Sequence, residues 1–299
     1  MATMLANIQQ VYRELGIIAP NSVESSTDQI VVQMLALMNR VGTQLMKRFP
    51  WQAIQKEYRF YTVSSTDTGT TTSGSAIVTG LTDTSSLSTN YMVSGTGIPT
   101  DTFILSVDSS TQVTLSANAT SSATSTLTFG QTLYSLPSDY DRIEGGTEWD
   151  KGQAWELLGP NTPKEWQFQK SGWISSGPRE RFRIVGSQFS VWPMPSNGLR
   201  FGFEYISNNW CTDSSGSGKT AFTTDTDLSL LPDDLLILGT KARFYEAKGF
   251  DARAYQMEYM NAINLAKAND KGLDSINLSP GDSKYLIDST NLPDTGYGA

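Results

Sequence analysis

The chain has 299 residues, of which 38% are hydrophobic and 17% are charged, and its formal net charge is −8. It has one cysteine and no histidine, which excludes an internal disulfide, a cysteine-rich metal cage and the Ser–His and Cys–His catalytic pairs. The acidic balance also argues against a basic nucleic-acid-binding surface. We expect no secretory signal and no membrane span.

Two helices are predicted at the N-terminus, followed by a strand. Apolar residues recur at three- and four-residue steps in residues 3–16, which is typical of a helix with one buried face. Ser26–Gln29 reads as a capping box for a second helix that runs to about Arg48. Residues 51–63 then indicate a strand.

Residues 62–130 differ from both flanks, because they contain no Lys or Arg and are rich in Ser and Thr. Short β-type runs separated by turn residues predict a small all-β module rather than a disordered linker. The runs are SAIVTGL, NYMVSGTGI, TFILSVD, TQVTLSA and STLTFG. The flanking segments 52–63 and 134–145 would be neighbours without this block. We therefore expect an inserted module at an exposed loop.

An antiparallel β-meander is predicted between residues 134 and 210. Apolar residues alternate with polar ones on either side of a turn at Gly186–Ser187, and a second hairpin is expected across Pro193–Gly198. The alternating residues are Phe182, Ile184, Phe189, Val191, Leu199, Phe201, Phe203 and Tyr205. A short helix is expected at Pro163–Gln169.

The C-terminal part is predicted to hold two helices and a tail. Pro232 and the acids after it open a helix that ends at Gly249, and a second helix ends near Lys271. The predicted fold is therefore α+β, with a helical bundle of N- and C-terminal helices packed with the antiparallel meander. Its parts are a core at 1–61 and 131–270, an inserted all-β domain at 62–130 and an extended tail at 271–299.

No motif indicates an enzyme site, a metal or a cofactor. GSGKT at 216–220 lacks the upstream glycine of a phosphate-binding loop, since position 213 is Asp, and no helix follows it. Asp139 and Asp141 lie in a predicted turn. Glycoside hydrolysis needs only two carboxylates, so a cell-wall-degrading enzyme stays open as an alternative.

Aromatic and basic side chains offer binding hypotheses. The dense tryptophans indicate either a sugar platform or packing in cores and subunit interfaces, and packing is favoured. Arg179, Arg181 and Arg183 are predicted on one face of a strand. They would bind an acidic partner strand or a neighbouring subunit, or form a solvated face.

The order of elements resembles the head-to-tail adaptor proteins of short-tailed phages, the class called tail tubular protein A or portal-adaptor protein. The residues that carry the resemblance are Leu136–Arg142, the Phe189–Pro195 turn and the Phe203–Trp210 ending, within 1–61 and 131–270. The 62–130 block departs from a minimal adaptor. It resembles the Ser/Thr-rich β-modules inserted in phage structural proteins, on Gly95–Pro99 and Val107–Leu115.

The resemblance implies a structural virion protein, not an enzyme. Such adaptors form a ring, commonly twelvefold, with the portal protein above and a tail nozzle or hub protein below, and with a tail fibre or spike as a further partner. DNA passes through without specific binding, in a neck that is assembled in the host cytoplasm. The tail would order against the portal or a neighbouring subunit. Its anchors would be Leu273, Ile276, Leu278, Tyr285, Leu286, Ile287 and Leu292.

One other structural class stays open beside the adaptor and the enzyme. A tail or capsid surface decoration protein would use the β-module at 62–130 to bind a host glycan. It predicts monomers or trimers with measurable sugar binding, whereas the adaptor hypothesis predicts self-association or assembly that depends on the portal.

Overall fold

Five α-helices and several antiparallel sheets form the part of the chain that the computed structural model describes, residues 2–173 and 179–271. The helices are α1 (Met4–Glu14), α2 (Gln29–Arg48), α3 (Pro163–Phe168), α4 (Asp233–Ala247) and α5 (Arg253–Lys271). The predicted α+β class is confirmed.

The N- and C-terminal helices form one bundle, in which α4 packs against α1, α2 and α5. The buried side chains include Ile8, Val11, Met34, Met38, Leu45, Leu235, Leu236 and Ile263. These residues recur at helical spacing along α1, α2 and α4, so burial of the apolar stripes holds the bundle together.

The start of α2 differs from the prediction. Its N-cap is Asp28, whose carboxylate accepts the backbone N–H of Ile30 at 2.8 Å. The Ser26 hydroxyl instead accepts the N–H of Asp28 at 3.2 Å, in the turn before the helix. The predicted capping box beginning at Ser26 is therefore wrong, because Asp28 caps the first helical turn.

Trp210 connects the bundle to the sheets. Its ring is fully buried. Gly42 of α2 leaves room for it, because a Cβ at that position would lie 2.5 Å from the ring. The indole N–H donates to the carbonyl of Thr220 at 2.7 Å, and the ring meets Phe222 edge-on with centroids 4.7 Å apart. The favoured interpretation of the tryptophans as packing residues is confirmed for Trp210.

Two antiparallel sheets pack face to face beside the bundle, and the pair is called the sandwich. The first sheet is built from β1 (Gln55–Tyr61), β9 (Tyr140–Ile143), β10 (Trp149–Asp150), β11 (Trp155–Glu156) and β14 (Arg200–Ser207). The second is built from β8 (Leu133–Ser135), β12 (Arg181–Val185) and β13 (Gln188–Trp192). Aromatic rings fill the space between them: Phe189 stacks on Phe203 at 5.2 Å, and Phe60 meets Phe189 at 5.7 Å.

The strand pairing departs from the predicted meander at one place. β12 and β13 form the expected hairpin. β13 and β14 do not pair, because β13 lies between β12 and β8 whereas β14 lies between β1 and the strands β9 and β10. The hairpin expected across Pro193–Gly198 is therefore wrong. The chain crosses there from one sheet to the other, and both strands turn their apolar residues toward the shared core.

The Ser/Thr-rich block forms a closed six-stranded barrel in the order β2-β3-β6-β5-β4-β7. The strands are β2 (Ser64–Thr71), β3 (Ile77–Thr79), β4 (Met92–Ser94), β5 (Thr102–Ser109), β6 (Gln112–Leu115) and β7 (Ala123–Gly130). The five predicted β-runs are confirmed, and β2 is an addition. A small apolar interior holds the barrel together, with residues such as Val78, Ile104, Val113 and Phe129 buried.

The chain enters and leaves the barrel side by side. Ser64 at the start of β2 pairs with Gly130 at the end of β7. Just outside the barrel, the N–H of Gln131 donates to the carbonyl of Val63 at 2.9 Å. The chain thus enters the barrel just after β1 and leaves it just before β8, and these two adjacent points are called the crossings.

A third, three-stranded sheet lies against the helices. It is built from β15 (Cys211–Thr212), β16 (Gly218–Lys219) and β17 (Leu228–Ser229). An isolated bridge joins Leu228 to Thr3, the N-cap residue of α1. Cys211 is fully buried in the helical core.

Candidate interaction surfaces

The described residues contain no group of three or more His, Cys, Asp or Glu side chains placed to hold a metal ion. No helix in residues 2–173 and 179–271 is both long and apolar enough to cross a membrane.

The GSGKT segment runs from a surface turn into strand β16. Asp213 accepts the backbone N–H groups of Ser215 and Ser217 at 2.8 and 2.9 Å, which closes the turn. The Lys219 ammonium contacts the fully buried carboxylate of Asp227 at 2.5 Å. Because this lysine is committed to a buried partner within its own sheet, the segment is not arranged as a phosphate cradle.

The Leu136–Arg142 segment connects the sheets to the helical bundle. Its residues Asp139 to Arg142 make these contacts and are called the Asp139–Arg142 joint below. Asp139 accepts hydrogen bonds from Tyr205 at 2.8 Å, Ser207 at 2.7 Å and Lys56 at 2.6 Å. Partial burial by itself raises the pKa of Asp139, but the hydrogen bonds from Lys56, Ser207 and Tyr205 outweigh it and hold the pKa below its usual range. One carboxylate thus binds strands β1 and β14 to the loop before β9.

Arg142 extends this joint to the helical bundle. Its guanidinium donates to the carbonyl of Met46, in the last turn of α2, at 3.2 Å, and pairs with Asp141 at 2.8 Å. A cation at the C-terminal end of a helix is favoured by the helix dipole. The turn predicted for Asp139 and Asp141 is confirmed for Asp139 but is wrong for Asp141, which lies in β9. The sequence did not predict the bonds of Asp139 or the contact of Arg142 with Met46, because those partners lie far away along the chain.

The three predicted interface arginines lie near one another at the edge of the second sheet. Arg181 and Arg183 belong to β12, whereas Arg179 precedes the strand, with its guanidinium carbon 5.9 Å from the centre of the Trp155 ring. Arg181 pairs with Trp192 and Arg183 with Ser190 across the strands, so these side chains share the outer face of the sheet. Among the described residues, neither Arg181 nor Arg183 forms an ion pair.

A cleft separates the barrel from this outer face. It encloses about 250 Å³. Its walls come from the barrel, from β8, β13 and α3, and from the turn after α3. Lys170 pairs with Asp101 of the barrel at 2.7 Å across it. Trp166 and Trp192 line the cleft but are buried, so neither offers an open ring face for a sugar to stack on.

Three carboxylates near β10 are buried with incomplete hydrogen bonding. Glu148, Asp150 and Glu180 each have one oxygen atom that lacks a hydrogen-bond partner. Burial raises the pKa of Glu148 and of Glu180. Each unsatisfied oxygen costs stability when its group is ionised. The grouping was not predicted from the sequence, because Glu180 lies 30 residues after Asp150 along the chain.

The predicted anchor residues of the tail lie outside the described residues. They are Leu273, Ile276, Leu278, Tyr285, Leu286, Ile287 and Leu292. Their proposed contacts stay predictions.

Comparison with known protein families gives a match to an adaptor family. The family model described as SU10 adaptor protein matches residues 110–277. The match covers the last two strands of the barrel, every strand of the two sandwich sheets except β1, and the helices α3, α4 and α5. It includes the Asp139–Arg142 joint and the outer face that carries Arg181 and Arg183. A comparison with curated proteins gave no match.

Proposed function

This chain belongs to the SU10 adaptor protein family of phage structural proteins, and we propose that it forms a ring that joins the portal to the tail. The family match over residues 110–277 carries this proposal. The ring would enclose the DNA exit channel, with the portal protein above and a tail nozzle or hub protein below. Its place would be the neck of the virion, after assembly in the host cytoplasm.

Two structural features support a role as a stiff connecting subunit. The Asp139–Arg142 joint ties β1, β14 and the end of α2 together, and so links the sandwich to the bundle. The net charge of −8 suits a channel through which DNA slides, since phosphates are held by clustered Lys and Arg. We also propose that Arg179, Arg181 and Arg183 take part in a heterologous subunit contact that closes into a ring, and Arg181 and Arg183 are tested below.

The domain organisation is part of the proposal. The core would comprise residues 1–61 and 131–270, the barrel at 62–130 would be an inserted exterior module, and 271–299 would be an anchoring tail. The adjacent crossings at Ser64 and Gly130 support the insertion. Replacing 64–130 with a short linker should leave the near-ultraviolet circular dichroism of the sandwich aromatics in place.

Negative-stain microscopy of the protein, alone and mixed with its portal protein, tests the main proposal. Closed rings, or a new layer on the portal, are the expected result. Deleting residues 273–299 should abolish the layer. A triple change of Tyr285, Leu286 and Ile287 to Ser should do the same, whereas changing Ser275, Ser279 and Ser283 to Ala should not.

A monomer that leaves the portal unchanged at high concentration would overturn the adaptor ring. The decoration hypothesis would then be tested by glycan binding to the full chain. Trp166 and Trp192 are buried at the cleft, so neither indole would serve that alternative as a sugar platform.

A further inference from the structure

We infer that residues 282–288 of one copy's tail bind the cleft between the barrel and the second sheet of a neighbouring copy. This inference rests on the proposed ring, because the ring brings a second copy's tail to the cleft. It connects two sets of residues that the proposed function leaves separate, the apolar anchors of the tail and the arginines of β12.

The cleft has the form of a pocket for an inserted side chain. Its volume is about 250 Å³, and Met92, Phe103 and Leu133 supply apolar walls. Asn90 and Ser190 add polar groups. An apolar cavity with a few polar groups is the usual form of a site for a peptide anchor.

An apolar surface continues from the cleft along the outside of the barrel. Phe103, Leu105 and Val107 alternate along β5, and each is more than a third exposed, with Leu105 at 54%. Outward positions of this barrel are otherwise mostly Ser and Thr, so an apolar row at this place needs an explanation. A peptide that lies along the cleft would cover it.

Two arginines lie beside the cleft, whose own charged lining residues, Lys170 and Asp101, pair with each other. Arg181 and Arg183 share a face with Trp192 and Ser190, which line the cavity. Both guanidinium groups are half-buried and form no ion pair among the described residues. An unpaired arginine beside an apolar pocket favours a ligand that carries carboxylates next to an apolar anchor.

The tail has that chemistry. Residues 282–288 read DSKYLID, with Tyr285, Leu286 and Ile287 between two aspartates. Residues 272–299 contain four aspartates and one lysine. One apolar side chain would fill the pocket, while Asp282 and Asp288 would meet the arginines.

The end of α5 and the barrel lie at different ends of β1 within one subunit. The backbone N–H of Gln52 donates to Asp270 at 3.0 Å, so α5 ends near the beginning of β1. The barrel begins beyond the other end of β1, about 20 Å away at the usual rise per strand residue. A contact between copies would thus join the region after α5 of one subunit to the cleft of the next, which is the form of a heterologous contact.

Disulfide trapping in full-length protein assembled on the portal tests the inference. Copies with Asn90→Cys are mixed with copies with Tyr285→Cys, oxidised and run on a non-reducing gel. A cross-linked dimer is expected only in the mixture. Adding Arg181→Glu and Arg183→Glu to the Asn90→Cys copies should lower the cross-linked fraction about tenfold.

Two controls separate charge from folding. Arg13→Glu with Arg40→Glu makes the same change in net charge at exposed sites on α1 and α2, and should leave the cross-link intact. Asp282→Lys with Asp288→Lys in the tail should also lower cross-linking, and should restore it when combined with the two Arg→Glu changes.

The outcomes distinguish the inference from the proposed function. A portal-bound layer without the cross-link overturns the tail–cleft contact and leaves the adaptor ring standing. A further variant carries both Asn90→Cys and Tyr285→Cys in one chain. A disulfide that forms only within this chain also overturns the inference, because the tail then occupies its own cleft. If no layer forms on the portal, the proposed function itself fails.

Discussion

Replacing Asp139 with Asn tests whether one carboxylate holds the joint between strands and loop. The native carboxylate is 15% exposed and accepts from Lys56, Tyr205 and Ser207. Hydrogen bonds to a charged group contribute about 1.5–3 kcal/mol each, but they are not additive and Asn keeps one acceptor oxygen. The pair with Lys56 adds little, because that lysine is 45% exposed. We expect a loss of about 2 kcal/mol at pH 7.

Urea denaturation followed by tryptophan fluorescence would measure this loss, and the corresponding fall in Tm is roughly 4–8 °C. Asp141→Asn is the matched control, since Asp141 pairs only with the neighbouring Arg142 and should cost at most about 1 kcal/mol. Equal stability of Asp139→Asn and the native protein at pH 7 would refute the role of the joint.

The pH dependence gives a second check on the same residue. The folded pKa of Asp139 lies below its unfolded value, because the hydrogen bonds outweigh the effect of burial. Its stabilising contribution is therefore complete above the unfolded pKa, about 3.9, and is lost as the pH falls through the folded pKa. The difference between native and Asp139→Asn proteins should shrink between pH 5 and pH 2. A constant difference would show that the loss at pH 7 has another origin.

Three further predictions follow from buried groups. Gly42→Ala should lower the free energy of unfolding by about 1–3 kcal/mol in urea denaturation, although Ala has the higher helix propensity, because the added Cβ would lie 2.5 Å from the Trp210 ring. A gain in stability would mean that α2 shifts away from the ring at little cost. Burial raises the pKa of Glu148, so its ionisation costs stability above its unfolded pKa of about 4.3. Glu148→Gln should therefore raise Tm at pH 8 but not at pH 4, and an equal gain at both would contradict this cause. Burial raises the pKa of Cys211 to about 12, so a thiol reagent at pH 8 should label it only after urea is added, and labelling of the folded protein would show that β15 opens.

Periodicity predicted which face of each strand is buried, but not which strands are neighbours in a sheet. Phe189 and Phe203 were both assigned to a buried face, and both lie in one core. Alternation along a strand is the same whether two strands share a sheet or face each other from opposite sheets. The hairpin across Pro193–Gly198 was therefore wrong although the buried faces were right.

Strand β2 shows a second limit of the sequence. Its residues, SSTDTGTT, include no large apolar side chain. It is a strand because all eight of its residues pair with β7. The barrel's closure thus supplies what local propensity does not, since strand preference depends on the neighbours of a strand.

Some features of the candidate surfaces could be predicted from one segment of the sequence, whereas others are formed by several segments. The arginines of β12 were identified from alternation in a single segment. The cleft and the partners of Asp139 depend on residues that are distant along the chain, as with Lys56 and Asp139. A single sequence holds no direct record of such contacts.

The paired crossings at the foot of the barrel affect the stability of the sandwich. A flexible loop of roughly 70 residues between Val63 and Gln131 would cost about 4 kcal/mol in closure entropy. The folded barrel removes this cost, because Ser64 and Gly130 are already paired in β2 and β7. The folded barrel thus holds the residues after β1 and before β8 next to each other. Melting it would weaken the contact between β1 and β8 even if every side chain of the sandwich stayed unchanged.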